Sequence, residues 1–454
     1  MTAFLSLTFI LLLSFIGGLM ESASLQMTKN YRRTDMDRAI ESVFAEYQKE
    51  LLEEFDVFGM DGSYESAAFS EDMILDRLRY YGASGIDNQI QAMRLLTDGN
   101  GQGLRDQAAR YLESKYGVEF AGKLPDDTAS WEQQDEEMRK LEEYAQTQEM
   151  NLENLLTGNE VTLPVENNPL INIQALQNKP LLELVMPEGK TISEGSAELS
   201  QLLSHRERQH GYGEFSDDHE EKSIGALAFG EYLVEHFQNA SDEHTNESGS
   251  LCYELEYIIE GESTDRDNLN KVIKTLLLIR MVSNYTYLSG DAAKRAEAEA
   301  MALALSTAVL LPEISGAVAQ VLLLAWVFGE SIMDIRSLLE GKKVPMVKTA
   351  ESWQLSLDAL SRLGTSEEQT TGTENSTGLS YTEYLQILLF LKEKSSGASI
   401  VTLRTLDMIE KRLRFDKGLD WLRADNCITK LEIKSTCNLR RGITYRFGTY
   451  FGYQ

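Results

Sequence analysis

Cysteine, proline, histidine and positive charge are all scarce in this 454-residue chain. Three cysteines cannot build a disulfide-dense scaffold. Seven prolines and 32 glycines exclude collagen-like and proline-rich architectures. Lysine and arginine number 43 against 72 acids, a formal net charge of −29. No net-basic stripe of useful length offers the phosphate neutralisation that nucleic-acid binding requires, so no nucleic-acid partner is expected. Hydrophobic residues at 42 % and aromatics at 9 % do fit a folded chain with a sizeable core and room for two or three domains.

The strongest signal is the run Thr2–Met20, nineteen residues without a charge. As a helix it spans roughly 28 Å, close to a bilayer's hydrocarbon core of about 30 Å. A cleaved signal peptide would need a basic leader, a shorter apolar stretch and a small-residue cleavage site. Nothing basic precedes the run and Ser22-Ala23-Ser24 is a poor cleavage match, so an uncleaved anchor is expected. Between Leu19 and Phe58 there is neither glycine nor proline. Met36, Ile40, Val43, Phe44, Tyr47, Leu51 and Phe55 repeat with the helical period, which predicts one helix of about 55 residues. Two helices broken near Lys29 are the alternative. Lys29, Arg32, Arg33 and Arg38 all follow the apolar run, and the positive-inside rule alone would put that side in the cytoplasm.

The rest of the chain reads mostly as helix. Residues 70–117 look helical, interrupted by Asp98-Gly99-Asn100-Gly101-Gln102-Gly103. That loop imitates a calcium loop, but its twelfth position is Ala109 where a bidentate Glu is needed, so it is read as a turn. Asp126–Glu160 carries eleven acids against Arg139 and Lys140, a solvated helix face with Trp131, Met138, Leu141 and Tyr144–Ala145 as its apolar stripe. Four of the seven prolines fall between Pro164 and Pro187, which marks a linker or extended crossover. Ala226–Phe237 and the segment from Asp265 to Tyr287 read as helices. Ile314–Phe328 is a second apolar run, short for a span and containing Gln320, and is expected to be a core helix rather than a second membrane segment. Thr365–Thr377 reads as loop, and Ser380–Lys392 and Thr402–Arg414 as helices.

Three segments alternate like half-buried strands: Leu251–Ile259, Cys427–Cys437 and Ile443–Tyr453, the last two joined by a turn at Asn438–Gly442. They are expected to share one antiparallel sheet covered by the helix Ile40–Phe55. Leu431, Ile433, Tyr445 and Phe447 would face inward, and Lys430, Glu432 and Lys434 would face water or a polar neighbour. In one strand Cys427 and Cys437 would lie roughly 33 Å apart, too far to bridge, so no disulfide is expected.

No catalytic signature emerges. All five histidines, His205, His210, His219, His236 and His244, lie amid acids such as Glu207, Asp217 and Asp218. None stands at metal-ligand spacing. No catalytic, cofactor-binding or metal residue is nominated, and no cofactor is expected. The fold class is α+β and predominantly helical, with a long N-terminal membrane-anchor helix, a helical body and a small antiparallel sheet that includes the C-terminal hairpin. The expected organisation is an anchor and amphipathic helix at 1–58, a helical region at 59–160, a linker with the His-containing loop at 161–222, and a helical body with C-terminal strands at 223–454.

In combination, several stretches resemble an uncharacterised family of Gram-positive bacterial proteins associated with Tad (Flp-type) pilus genes, distantly like the TadE minor pseudopilins. They are FLSLTFILLLSFIGGLMESA at the start, Glu41–Gly62, Tyr253–Asn284, Leu322–Trp353 and Leu379–Leu391. Asp126–Glu160, the linker and the His-containing loop carry none of the resemblance. It implies a single-pass membrane protein with most of the chain extracytoplasmic, and it carries no functional residues over. The function expected is an accessory or structural component of a pilus or related envelope assembly, working through the membrane and through protein partners rather than as an enzyme. The alternatives are an acidic surface-binding module and a metal-dependent envelope enzyme.

Overall fold

The computed structural model describes the whole chain except residues 67, 118–127, 167, 188, 216–223, 243–248, 366–377 and 454, and the side chains of 128–132, 134 and 135. In chain order the helices of the first half are α1 (Thr2–Phe44), α2 (Lys49–Phe55), α3 (Glu71–Leu78), α4 (Asp98–Tyr116), α5 (Thr128–Gly158), α6 (Pro169–Gln177), α7 (Leu181–Val185) and α8 (Ala226–His236). Those of the second half are α9 (Glu254–Glu260), α10 (Asp265–Gly290), α11 (Ala292–Ala308), α12 (Ser315–Leu339), α13 (Leu357–Leu360), α14 (Tyr381–Ser396) and α15 (Ala398–Lys411). The strands are β1 (Met60–Asp61), β2 (Asp87–Leu95), β3 (Cys427–Asn438) and β4 (Thr444–Gly452). The fold is α+β and predominantly helical. Two units form, both discontinuous: Met1–Phe120, Ser200–Gly225 and Thr402–Gln454 make the first, and Ala121–Leu199 with Ala226–Val401 the second.

The first unit is a helix on a sheet. β3 is central, with β2 antiparallel on one side and β1 and β4 antiparallel on the other. The C-terminal hairpin forms as the alternation predicts, pairing Leu431 with Phe451 and Cys437 with Tyr445. Leu431, Ile433 and Phe447 are buried and Tyr445 is half-buried. The covering stripe is Met36, Ala39, Ile40, Val43 and Phe44 of α1, packed with Leu431, Ile433, Met93 and Leu95. Burying each large apolar side chain contributes about 1.5–3 kcal/mol. Two expectations are corrected here. α1 does not continue to Phe58: it ends at Phe44, because the Gln48 amide donates to Gly59 O and Tyr47 bridges to Met60, turning the chain onto the sheet edge. The third strand is β2, inside the stretch read as helical. A bulge at Gln91 shifts the register between Ile90 and Ala92, so the inward set is Asn88, Ile90, then Met93 and Leu95. That shift breaks the two-residue period by which a strand is recognised.

The second unit is helical. Its centre is the pair α10 and α12, with α5, α6, α7, α9 and α11 against them and α14 against α8 and α9. α12 extends the apolar run expected to be a core helix, and it is a core helix: Trp326 is wholly buried and donates from Nε1 to Leu355 O at 2.8 Å. A Cβ on Gly329 would meet Leu360 and Leu355 at 2.4 and 2.8 Å, so this position must stay bare for them to pack. The proline-rich stretch is not extended: Asn168 caps α6 with Pro169 at its first turn, and Pro180 stands at the start of α7. Proline's fixed φ suits a first turn as well as a loop.

Leu251–Ile259 is a further correction. It is not a strand and belongs to the second unit, not to the sheet: residues from Glu254 on form α9, closed by Gly261 in the left-handed region. All of Glu254 to Ile259 is buried, glutamates included. Glu254 accepts from Gln238 N and Glu256 from Ala240 N, so the polar half of the alternation is as interior as the apolar half. The two-residue period therefore marked no solvent face. Of the other sequence features, Trp131's side chain and nearly all of Thr365–Thr377 lie outside the described residues.

Candidate membrane-facing site

Among the described residues, none covers the apolar end of α1. Phe4, Leu5, Leu7, Phe9, Ile10 and Leu11 are each more than 60 % exposed, and none of the helix's most apolar eighteen-residue stretch is buried. The same helix becomes interior from Met36 onward. Between the two regimes β4 runs beside it. Arg441, in the turn before β4, pairs with Glu21 at 2.5 Å. Further along, Lys29 Nζ lies 5.2 Å over the Tyr445 ring and Arg33 lies 6.0 Å over Phe447. Phe44 then packs against Phe451 with centroids 4.6 Å apart, and Tyr453 OH donates to Phe44 O at 2.7 Å. From Glu21 to Phe44 a helix rises about 35 Å. From Arg441 to Phe451 a strand rises about 34 Å. The matched climb means that β4 and α1 lie side by side in the same direction, so the hairpin tip points toward the bare apolar end of the helix.

That tip is Leu439-Arg440-Arg441-Gly442-Ile443, with Arg440, Arg441 and Ile443 exposed and Arg441 at φ 61°. Together with Lys29, Arg32 and Arg33 it gathers five cations around the helix's exit. Acids at this end include Glu21, Asp35 one turn beyond Arg32, and Asp87, the last opposite Thr436. Arg32 also donates to Ser84 O at 3.2 Å, tying α1 to the loop before β2. In a chain of net charge −29, this is a local reversal of sign.

The other concentration of charge is internal. In the second unit Arg280, Glu330, Asp334 and Lys348 have fully buried side chains. Lys348 Nζ is 2.5 Å from Glu330 and 2.6 Å from Asp334, and Arg280 is 3.1 Å from Asp334. Asn284 bridges Ser331 and Asp334, Tyr384 OH accepts from Arg280, and Glu330 also accepts from Gln354 N and Leu355 N. Burial pushes the Glu330 carboxyl up, against the pull of Lys348. Two cations meet two anions, and the hydrogen bonds satisfy the polar atoms, as a buried charge set requires. A cleft of about 560 Å³ borders this set, lined by Val282, Tyr287, Asp291, Met346 and Lys348 among others. Lys348 is committed to its carboxylates and to Ser352 O, and Asp291 to capping α11 through Ala293 N and Lys294 N.

Two further acids are interior. Glu256 is wholly buried, and burial raises its carboxyl to about 7 against hydrogen bonds from Ala240 N and Tyr381 OH. In the first unit Asp425 is buried too. There burial pushes the carboxyl up, but hydrogen bonds from Arg206 and Gln209 N outweigh it and bring it to about 2. Arg206 also pairs with Glu410 at 2.9 Å, so one guanidinium ties the 200–225 segment to the C-terminal segment.

The three described histidines do not converge. His205 and His210 are exposed, His210 with Nδ1 3.7 Å from Asp98, and His236 lies against Tyr232 with ring centroids 4.3 Å apart. His219 and His244 lie outside the described residues. Among the described residues no group of three or more His, Cys, Asp or Glu could hold a metal ion. Asp98, the first residue of the calcium-like loop, accepts instead from Leu95 N and Gly211 N, while Gly99, Asn100 and Gly101 take positive φ. The three cysteines remain thiols.

Sequence reasoning missed the tip, the Arg206 hub and the buried charge set. The last had a signal: Arg280 and Asn284, and Glu330 and Asp334, each stand four residues apart, on one face of their helix among apolar neighbours such as Leu276, Leu277, Ile332 and Met333. The tip was legible as a turn, but its place beside α1 had no signal, because Arg440 and Arg441 are some 400 residues from Glu21.

No curated protein and no solved structure matches the chain. A family of unknown function, DUF5702, matches residues 159–439, more than half of the chain, from just after α5 to the end of β3. The exposed end of α1 precedes the matched region. The chain belongs to the DUF5702 family.

Proposed function

We propose that this protein is a single-pass component of the cell membrane that presents its two folded units on one side and acts by protein–protein contact in an envelope assembly. The resemblance noted in the sequence points to a Tad-type pilus or a related machine, with the folded units extracytoplasmic. One observation carries the reading: α1 passes without a break from a bare apolar stretch of bilayer length into the core of the first unit. Such a helix transmits force and position between membrane and head, since no flexible linker separates them. The buried charge set supports a structural role, because its groups are spent on one another rather than held toward a substrate.

The test has two parts. Membrane fractionation should retain the full chain against high salt and release it only with detergent. Cross-linking in intact cells should then join the folded units to pilus or envelope proteins. A chain found in the soluble fraction, or one cross-linked only to cytoplasmic proteins, would overturn the proposal. The reverse orientation has its own support, the cations Lys29, Arg32 and Arg33 directly after the apolar run. Protease digestion of the C-terminus on intact cells distinguishes the two: extracytoplasmic units are cleaved, cytoplasmic ones are spared.

A further inference from the structure

We infer that the tip of the β3–β4 hairpin is a second membrane contact, built to dock on anionic lipid headgroups beside the anchor helix. The inference rests on the reading of α1 as a membrane helix, and it adds a site some 400 residues away in sequence. With residues 2–20 across the hydrocarbon core, Glu21 stands at the boundary with the headgroups. The Arg441–Glu21 pair brings the hairpin tip to the same level. β4 lies along α1 over its whole length, through the contacts of Tyr445, Phe447 and Phe451, so the tip is held there by a rigid sheet and not by a mobile loop.

The chemistry at the tip fits this occupant. Arg440 and Arg441 are exposed, and Arg441 keeps 76 % of its side chain in solvent even while paired with Glu21. Guanidinium groups bind phosphate oxygens in a two-pronged fashion. Ile443, 38 % exposed just before β4, adds an apolar side chain to the same turn. Cations with an adjacent apolar residue suit the interface, where a headgroup lies next to acyl chain. Each cation near an anionic surface adds to the attraction. Lys29, Arg32 and Arg33 add a second tier about 12–18 Å farther from the boundary, by helical rise. Elsewhere the chain is strongly acidic and would be repelled by the same lipids, so attraction through this end also sets the orientation of the head.

The experiment uses the full chain reconstituted into phosphatidylcholine vesicles with or without phosphatidylglycerol. Ile443→Trp reports on the tip and Leu12→Trp on the anchor, each read as quenching by doxyl lipids beyond that of the four native tryptophans. With phosphatidylglycerol, Ile443→Trp should be quenched by a label near the headgroups and Leu12→Trp by a label near the bilayer centre. Adding Arg440→Glu and Arg441→Glu should abolish the quenching at 443 and leave that at 12, while Arg440→Lys with Arg441→Lys should preserve both. An unchanged thermal unfolding curve would establish that the charge-reversed protein is folded. If position 12 is quenched and position 443 is not, or if 443 is quenched equally without phosphatidylglycerol or after charge reversal, the docking site is overturned and the anchor stands. If position 12 is not quenched, the anchor reading fails and the docking site falls with it.

Discussion

Among the described residues two helices are long and apolar enough to cross a membrane, and they meet opposite fates. The apolar stretch of α1 is bare, whereas 83 % of the corresponding stretch in the segment Pro312–Leu339 is buried. The difference lies in what interrupts the apolar residues. α1 carries no ionisable side chain until Glu21, so nothing in that stretch calls for a protein partner. α12 carries Gln320, Glu330, Ser331 and Asp334, and every one finds a partner: Tyr144 OH for Gln320, Lys348 for both acids, Asn284 for Ser331. Apolar content alone drives a helix out of water. The polar residues and their partners decide whether it goes into a protein core or remains available to lipid.

One substitution made in both helices should break this comparison most sharply. Leu322→Asp puts an unpaired charge into the core of the second unit and should cost at least about 4 kcal/mol, seen as a collapse of the denaturation midpoint. Leu12→Asp should leave that midpoint unchanged and instead cost about 3 kcal/mol of membrane insertion, read as loss of protein from the membrane fraction. Equal destabilisation by the two would mean that α1 is covered in the native protein.

Lys348→Met tests whether the polar residues of α12 depend on their partners. It leaves Glu330 with only neutral donors, Gln354 N and Leu355 N, and Asp334 with one cation, Arg280, and should cost about 3–5 kcal/mol by urea denaturation. A neutral result would mean that water reaches these carboxylates.

Glu256 sharpens the contrast from the other side, as an interior acid with no cation in direct contact among the described residues. Its carboxyl accepts from Tyr381 OH, and Tyr253, Asp265 and Lys190 lie close enough for charge interaction with it. Burial raises the folded value from 4.5 to about 7. The folded chain therefore holds this proton more tightly than the unfolded chain. Its contribution is full below about pH 4.5, declines as pH rises and is gone above about 7, falling by on the order of 1.4 kcal/mol for each pH unit crossed between the two values. Subtracting the Glu256→Gln stability profile from that of the native sequence should isolate this decline. Asp425 acts in the opposite sense, its contribution present above pH 3.8 and lost as pH falls through about 2. The smallest effect belongs to Tyr144→Phe, which removes the 2.9 Å bond to Gln320 and should cost about 1 kcal/mol.

Local periodicity made much of the fold legible. The α1 stripe from Met36 to Phe44, the helices α8, α10, α12 and α14, and the β3–β4 hairpin all carry one buried face or one buried body, and their patterns read directly. Ser380 and Glu383 even form the reciprocal cap expected of a helix start. Where periodicity failed, both faces of an element were buried or the period was broken. In α9 the buried glutamates imitated the polar side of a strand, and in β2 the bulge at Gln91 erased the alternation. The helix end at Phe44 was invisible because no residue there is a helix breaker; sheet pairing of Tyr47 and Gln48 ends it.

The sequence by itself determined the acidity of the chain, its nineteen-residue apolar run, and the helical and hairpin segments, because each depends on residues near one another in the chain. Only the tertiary structure decided that Cys427–Asn438 lies between the distant strands Asp87–Leu95 and Thr444–Gly452. It also decided that Arg441, near the C-terminus, stands beside Glu21, and that Arg280 of α10 and Lys348 together offset Glu330 and Asp334 of α12 in a buried cluster. Those outcomes turn on which surfaces remain to be covered once the local elements exist. The choice is made by packing and by the cost of leaving a buried charge or peptide group without a partner.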